Sequence, residues 1–215
     1  MVKRGQFITF EGGEGSGKTT QIALLADYLK NRGIMSCITR EPGGTPFAEK
    51  IRALVVTGTP DSMSHETELL LITAARMEHL YRTIQPALER GEWVLCDRFS
   101  DSTLAYQGYG RGIGLEKIKA LMAWASIPKP DLTILLTIDP HRGLSRAEER
   151  LTETARTGEE SESRFEHEEV AFHERVQKGF ESLAVNEPDR INVVDADRTI
   201  QEIHATIRQI METRI

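Results

Sequence analysis

The sequence predicts an α/β fold in which a five-stranded parallel sheet is flanked by helices on both faces. Three observations carry that prediction. Five short apolar runs punctuate the chain, longer amphipathic stretches separate them, and the runs lack the polar alternation of a half-wet sheet. Strands of that kind are covered on both sides, and helical crossovers between them make the sheet parallel. At 215 residues no disulfide or metal staple is required, because a chain this long buries about 70% of its extended surface.

Taken in order, Phe7-Ile8-Thr9-Phe10 reads as the first strand. Ile22, Leu25, Ala26 and Leu29 then recur at helical spacing on one face, and Gly33 supplies the stop. Met35 to Thr39 is the second strand, followed by a helix over Phe47 to Val56 and a longer one from Ser64 to Arg90. Trp93 to Cys96, Asp131 to Ile138 and Ile191 to Val194 are the third, fourth and fifth strands. The last helix opens on Thr199-Ile200-Gln201-Glu202, a capping-box pattern, and sets Ile200, Ile203, Ile207, Ile210 and Met211 on one face. Cys37 and Cys96 fall inside strand runs without a C-x-x-C pairing and read as small buried hydrophobes. No repeat or Pro-rich linker divides the chain, so residues 1–215 read as a single domain. Residues 142–169, dense in Arg and Glu, read as a solvated segment on its edge.

Charge narrows the partners. Thirty-three acidic residues outnumber 27 basic ones, and a net charge of −6 disfavours nonspecific binding to nucleic acid or an anionic membrane. No apolar run approaches the ~18 residues of a membrane helix. The start, Met1-Val2-Lys3-Arg4-Gly5, runs into a strand rather than a signal-peptide core, so the expected compartment is the cytoplasm. An anionic small molecule must then be held by local donors.

Such donors are concentrated in Gly12-Gly13-Glu14-Gly15-Ser16-Gly17-Lys18-Thr19, which satisfies G-x-x-x-x-G-K-[ST] between a strand and a helix. This is a phosphate-binding loop and specifies a three-layer P-loop fold. Glycines let backbone N–H groups converge on phosphate oxygens, and the helix N-terminus adds its positive end. Contacts to a nucleoside triphosphate are expected from Gly12 through Thr20, with Lys18 reaching the β- and γ-phosphates. The Thr19 hydroxyl and Asp97, which ends the third strand, are the expected Mg²⁺ ligands. Arg98 stands beside Asp97 at the same strand end. A second anion-directed set consists of Arg40 in Arg40-Glu41-Pro42-Gly43-Gly44, Arg98, and Arg76 on the long helix. No N-K-x-D signature of a guanine switch is present. Together these residues imply a second polar ligand beside the triphosphate.

Three segments, F-E-G-G-E-G-S-G-K-T-T, T-R-E-P-G-G-T and D-R-F-S-D-S-T-L-A-Y-Q-G, resemble bacterial thymidylate kinase in order and spacing across residues 6–112. The resemblance implies transfer of the γ-phosphoryl group of ATP to dTMP, in a homodimer, with Mg²⁺ as cofactor. It implies that Arg40 and Arg98 hold the acceptor phosphate and that Arg76 donates to the thymine O4. Ser102, Thr103 and Gln107 line the base and sugar pocket, Tyr106 crowds the sugar 2′ position, and Glu14 faces the dTMP sugar. Lys18 and Arg98 then act catalytically together with an arginine from a lid over about 142–166. Because the phosphate loop holds no arginine, that role falls to Arg146, Arg150, Arg156 or Arg164, with Arg150 aligning best.

Two departures stand out. The family usually has an aromatic four residues before the base-reading arginine, where this chain has Ile72, so apolar packing without stacking is expected there. The lid is longer than usual across Thr152 to Ser163, and the customary Asp-Arg appears as Ser163-Arg164. Competing readings are another nucleotide or nucleoside kinase on this fold, and a nucleotide-dependent switch with no acceptor.

Overall fold

Each apolar run becomes a strand whose ends differ from the expected ones by a residue or so. β1 (Phe7–Glu11), β2 (Ser36–Arg40), β3 (Trp93–Asp97), β4 (Leu132–Thr137) and β5 (Ile191–Asp195) form one sheet in the order β2-β3-β1-β4-β5, with every pair parallel. The computed structural model describes residues 4–156 and 163–215, without the side chains of Arg150 and residues 153–156.

Helices occupy the crossovers: α1 (Lys18–Lys30), α2 (Pro46–Val56), α3 (His65–His79), α4 (Gln85–Glu89), α5 (Ser100–Thr103), α6 (Leu115–Trp124), α7 (Pro140–Arg156), α8 (Val170–Asn186) and α9 (Ile200–Glu212). Strand residues alternate between the two faces, and both faces are apolar. Ile8, Phe10, Leu95 and Ile134 pack against Ile22, Leu25 and Leu29 of α1 and Ile203, Ile207 and Met211 of α9. On the other side Phe7, Val94 and Cys96 meet Leu80, Ile84 and Phe99, while Leu135 meets Phe172, Val176 and Phe180. Burying side chains of this size contributes roughly 1.5–3 kcal/mol each, which explains why alternation gives way to continuous hydrophobicity. The expected capping box is present at Thr199 and Glu202, although Ile200, read as part of the buried face, is 50% exposed. Cys96 is buried and Cys37 half-buried.

Two expectations need correction. The long helix from Ser64 to Arg90 is interrupted by a π turn over Leu80–Ile84, where the Gln85 N–H donates to the Leu80 carbonyl. Pro86 has no N–H to continue the α-helical ladder, so a change of register just before it is the physical reason. The Arg- and Glu-rich segment is not wholly solvated: Pro140–Arg156 is helical, and Ser163 and Arg164 are buried.

Parallel strands present their carboxyl ends together. Here the ends of β1, β2 and β3 bring Glu11, Glu41 and Asp97 to the carboxyl end of the sheet, where Ser102 of α5 bonds Glu11, Arg76 and His79 of α3 meet Glu41, and Thr19 of α1 bonds Asp97.

Candidate active site

The phosphate loop joins β1 to α1 and depends on glycine at two close approaches. Gly12 has φ +135°, and a Cβ there would sit 2.2 Å from the Leu136 carbonyl oxygen. Gly15 has φ +64°, and its Cβ would lie 2.1 Å from the Gly143 carbonyl oxygen. Lys18 folds back over the loop, donating to the carbonyls of Gly12 (3.2 Å) and Gly13 (3.0 Å). Burial, with Arg98 nearby, brings its ammonium down to about 8 against the pull of Asp97, Glu14 and Glu11. The Thr19 hydroxyl donates to the Asp97 carboxylate at 3.0 Å. Two hard oxygen donors beside a phosphate loop are the donor type that would suit a Mg²⁺ ion. No cluster of three His, Cys, Asp or Glu side chains suited to a metal exists among the described residues.

Arg98 follows β3 in a left-handed conformation (φ 65°), which aims its guanidinium back over the phosphate loop. It donates to the Gly12 carbonyl (2.9 Å) and the Glu14 carboxylate (2.8 Å), and lies 4.9 Å from the Tyr106 ring centroid. The Tyr106 hydroxyl donates to the same Glu14 oxygen at 2.7 Å. Burial pushes the Glu14 carboxyl up, but Arg98 and Lys18 outweigh it and hold it at about 2. Below them Glu11 accepts the Phe99 N–H (2.8 Å) and the Ser102 hydroxyl (2.5 Å), fixing the start of α5. Burial and the Asp101 carboxylate raise Glu11 to about 7.

Arg76, on α3, is 2% exposed. Its Nε donates to Glu41 (2.5 Å), and its two terminal nitrogens donate to Thr103 Oγ1 (2.9 Å) and the Phe99 carbonyl (3.0 Å). A guanidinium has five N–H donors, so two are unspent. The other Glu41 oxygen lies 2.9 Å from His79 Nδ1, and His79 Nε2 lies 2.6 Å from Thr39 Oγ1.

Glu14, Glu41, Arg76, Arg98, Phe99, Ser102, Thr103 and Tyr106 of this set border a cleft. Its polar side holds Glu14, Arg76, Arg98, Ser102, Thr103 and Gln107, and its apolar side holds Val55, Val56, Ile72, Tyr106 and Phe165. A second, open cleft lies between the first turns of α7 and α9, lined by Arg142, Arg146, Asp197, Arg198, Thr199 and Glu202. Gly15 of the phosphate loop abuts Arg146 there.

The comparisons with known proteins agree. The family model described as thymidylate kinase matches residues 10–207. The chain belongs to the thymidylate kinase family. Thymidylate kinase from Magnetococcus marinus is 48% identical over 98% of this chain and 97% of the relative, and that from Alkalilimnicola ehrlichii 45% over 100% and 95%. The crystal structure of thymidylate kinase from Ehrlichia chaffeensis superposes with a TM-score of 0.75 at 32% identity, covering 97% of this chain and 99% of that one. Family membership makes the chain an ATP-using nucleotide kinase of the α/β class.

Of the residues that the thymidylate kinase resemblance singles out, the fold gathers Glu14, Ile72, Arg76, Arg98, Ser102, Thr103, Tyr106 and Gln107 around one cleft. Arg40 lies outside that lining, its exposed guanidinium 3.1 Å from Glu49. Alternation along β2 is the cause: Thr39 and Glu41 are buried, and Arg40 between them turns outward. In its place Arg52 reaches the cleft from α2, donating to the Pro42 carbonyl at 2.9 Å. Sequence reasoning missed Arg52, although its spacing from Ala48 and Val55 sets it on the buried face of α2. Arg164, expected among the lid arginines, is fully buried with Glu68 (2.6 Å) and three carbonyls as partners. Arg146 faces Ala196 and Asp197 across the second cleft. The side chains of Arg150 and Arg156 lie outside the described residues.

Proposed function

We infer that this chain phosphorylates dTMP to dTDP with the γ-phosphoryl group of ATP, a step toward dTTP for DNA synthesis. The observation that carries the reading is the position of Arg98, which lines the acceptor cleft and donates to the phosphate-loop carbonyl of Gly12. A phosphate held by that guanidinium lies against the loop that holds the donor. During transfer the bond from the γ-phosphorus to the β,γ-bridging oxygen breaks, and a bond to an acceptor phosphate oxygen forms. The acceptor's second pKa is ~6, so its oxygen is already anionic and needs no general base. Positioning and charge stabilisation do the rest.

In this reading the loop from Gly12 to Thr20 binds ATP, and Lys18 steadies charge on the transferred group. Thr19 and Asp97 would hold Mg²⁺, which would supply charge neutralisation at the phosphates. Arg98 takes the acceptor phosphate, and Arg52 is better placed than Arg40 to assist it. Arg76 offers its free N–H groups to the thymine carbonyl edge, with Thr103, Gln107 and Ile72 around the ring. The lid, over about 142–166 of a single-domain chain, brings Arg150 to the transferred phosphoryl group. Free thiols at Cys37 and Cys96 support a cytoplasmic setting, and no helix among the described residues is long and apolar enough to cross a membrane. Exposed Phe47 and Leu54 on α2 with Leu70, Met77 and Tyr81 beyond them support a homodimer built on that face.

ADP release measured with ATP, Mg²⁺ and either dTMP, dUMP, dCMP, dGMP, AMP or thymidine tests the reading. dTMP should accelerate turnover far above the acceptor-free rate, and equal rates with and without it refute the assignment. Arg76→Ala should raise KM for dTMP and leave KM for ATP unchanged.

A further inference from the structure

A pyrimidine buried in a cleft needs polar partners at its edge and apolar surface against its faces. The polar edge comes from Arg76, Thr103 and Gln107. Three aromatic rings line the cleft, and each lies near a guanidinium group: Phe99 is 5.0 Å from Arg76, Tyr106 is 4.9 Å from Arg98, and Phe165 is 5.4 Å from Arg164 and 5.8 Å from Arg111. The third, Phe165, comes from the C-terminal end of the segment read as the lid. It stands edge-on to Tyr106 (centroids 5.6 Å apart, planes at 89°) and packs against the cluster containing Ile72, Val55 and Val56.

The residue before Phe165 explains how it is held. Arg164 is fully buried, its N–H bonds the Val56 carbonyl at 3.0 Å, and its guanidinium bonds Glu68. Glu68 also accepts from Gln107 of the cleft at 2.7 Å. A buried arginine with four of its five N–H donors bonded to protein is an anchor, and what it anchors beside the cleft is an aromatic ring.

We propose that Phe165 is the aromatic wall for the acceptor's pyrimidine ring, supplying the flat surface that Ile72 on α3 does not, and that Arg164 is its positioning residue. The proposal rests on the reading that this cleft takes dTMP, and it makes the C-terminal end of the lid segment part of the acceptor site.

Steady-state kinetics of the full chain test it. Phe165→Ala should raise KM for dTMP about tenfold, the order that an aromatic ring contributes to holding a base, with KM for ATP unchanged. Phe165→Tyr should restore wild-type values. Moving the ring across the cleft, in the double variant Ile72→Phe with Phe165→Ile, should recover most of the affinity that Phe165→Ile alone loses. Arg164→Met should raise KM for dTMP more than it lowers kcat, and should add little on top of Phe165→Ala. An unchanged KM for dTMP in Phe165→Ala overturns the proposal. If that variant does not fold, a swap no better than Phe165→Ile alone overturns it equally. A wild-type enzyme indifferent to dTMP refutes the assigned reaction instead, so the two failures are distinguishable.

Discussion

Lys18 is the residue whose charge state responds most directly to ligand. With its ammonium at about 8 in the unliganded loop, it is charged below that pH and neutral above it. Phosphate oxygens favour the charged form, so binding ATP above pH 8 must draw in a proton, and affinity falls as pH rises. Calorimetric titration with ATP at pH 8.5–9 in buffers of different ionisation enthalpy should reveal uptake approaching one proton, with little at pH 7. Lys18→Arg should abolish the uptake, since a guanidinium stays charged throughout. The motif identified Lys18 from the sequence, but its lowered basicity comes from burial and from Arg98, against the opposing pull of Asp97, Glu14 and Glu11, and only the fold assembles that environment. The outward turn of Arg40 was legible in principle. It follows from strand alternation, whereas the resemblance by itself assigned the residue to the phosphate.

At the scale of elements, Glu68 ties α3 to two distant stretches of chain. Its carboxylate is fully buried and bonds Arg111 (3.1 Å) and Arg164 (2.6 Å), 43 and 96 residues away, as well as Gln107. Removing one partner from a buried ion pair strands the other charge, which costs about 3–5 kcal/mol. Glu68→Ala should therefore lower the unfolding free energy from denaturant titration by that order, and Glu68→Gln, which keeps an acceptor, by less. Equal stability of wild type and Glu68→Ala would remove the argument that Arg164 is an anchor. Strands and major helices were readable because hydrophobic period is local. Glu68 reads locally as one more polar residue near a helix start, and its partners are chosen by packing across the whole chain. The π turn at Leu80–Ile84 was hidden for a related reason: Pro86 was visible, but how the helix accommodates it depends on what α3 and α4 bury.

At the scale of the whole molecule, the outer side of α2 and α3 carries exposed apolar side chains. Leu70, Met77 and Tyr81 follow helical spacing along the same side of the α3 segment, and each is exposed, as are Phe47 and Leu54 on neighbouring α2. If two copies meet there, Leu70→Glu should shift sedimentation from dimer to monomer at micromolar concentration. The wild-type melting temperature should also depend on concentration while that of the variant does not. Wild-type protein sedimenting as a monomer at every concentration would exclude the arrangement. The unliganded acceptor cleft carries a different lesson. Arg98 already has Glu14 as its counter-ion, so the cleft at rest is internally neutralised rather than a bare cationic trap. Small monovalent anions such as chloride gain little by entering, because they would have to outbid a carboxylate that costs no translational entropy to recruit. A nucleotide succeeds by arriving with two charges and a base that engages the far wall at once, so the ion pair acts as a threshold that sorts visitors by what else they bring.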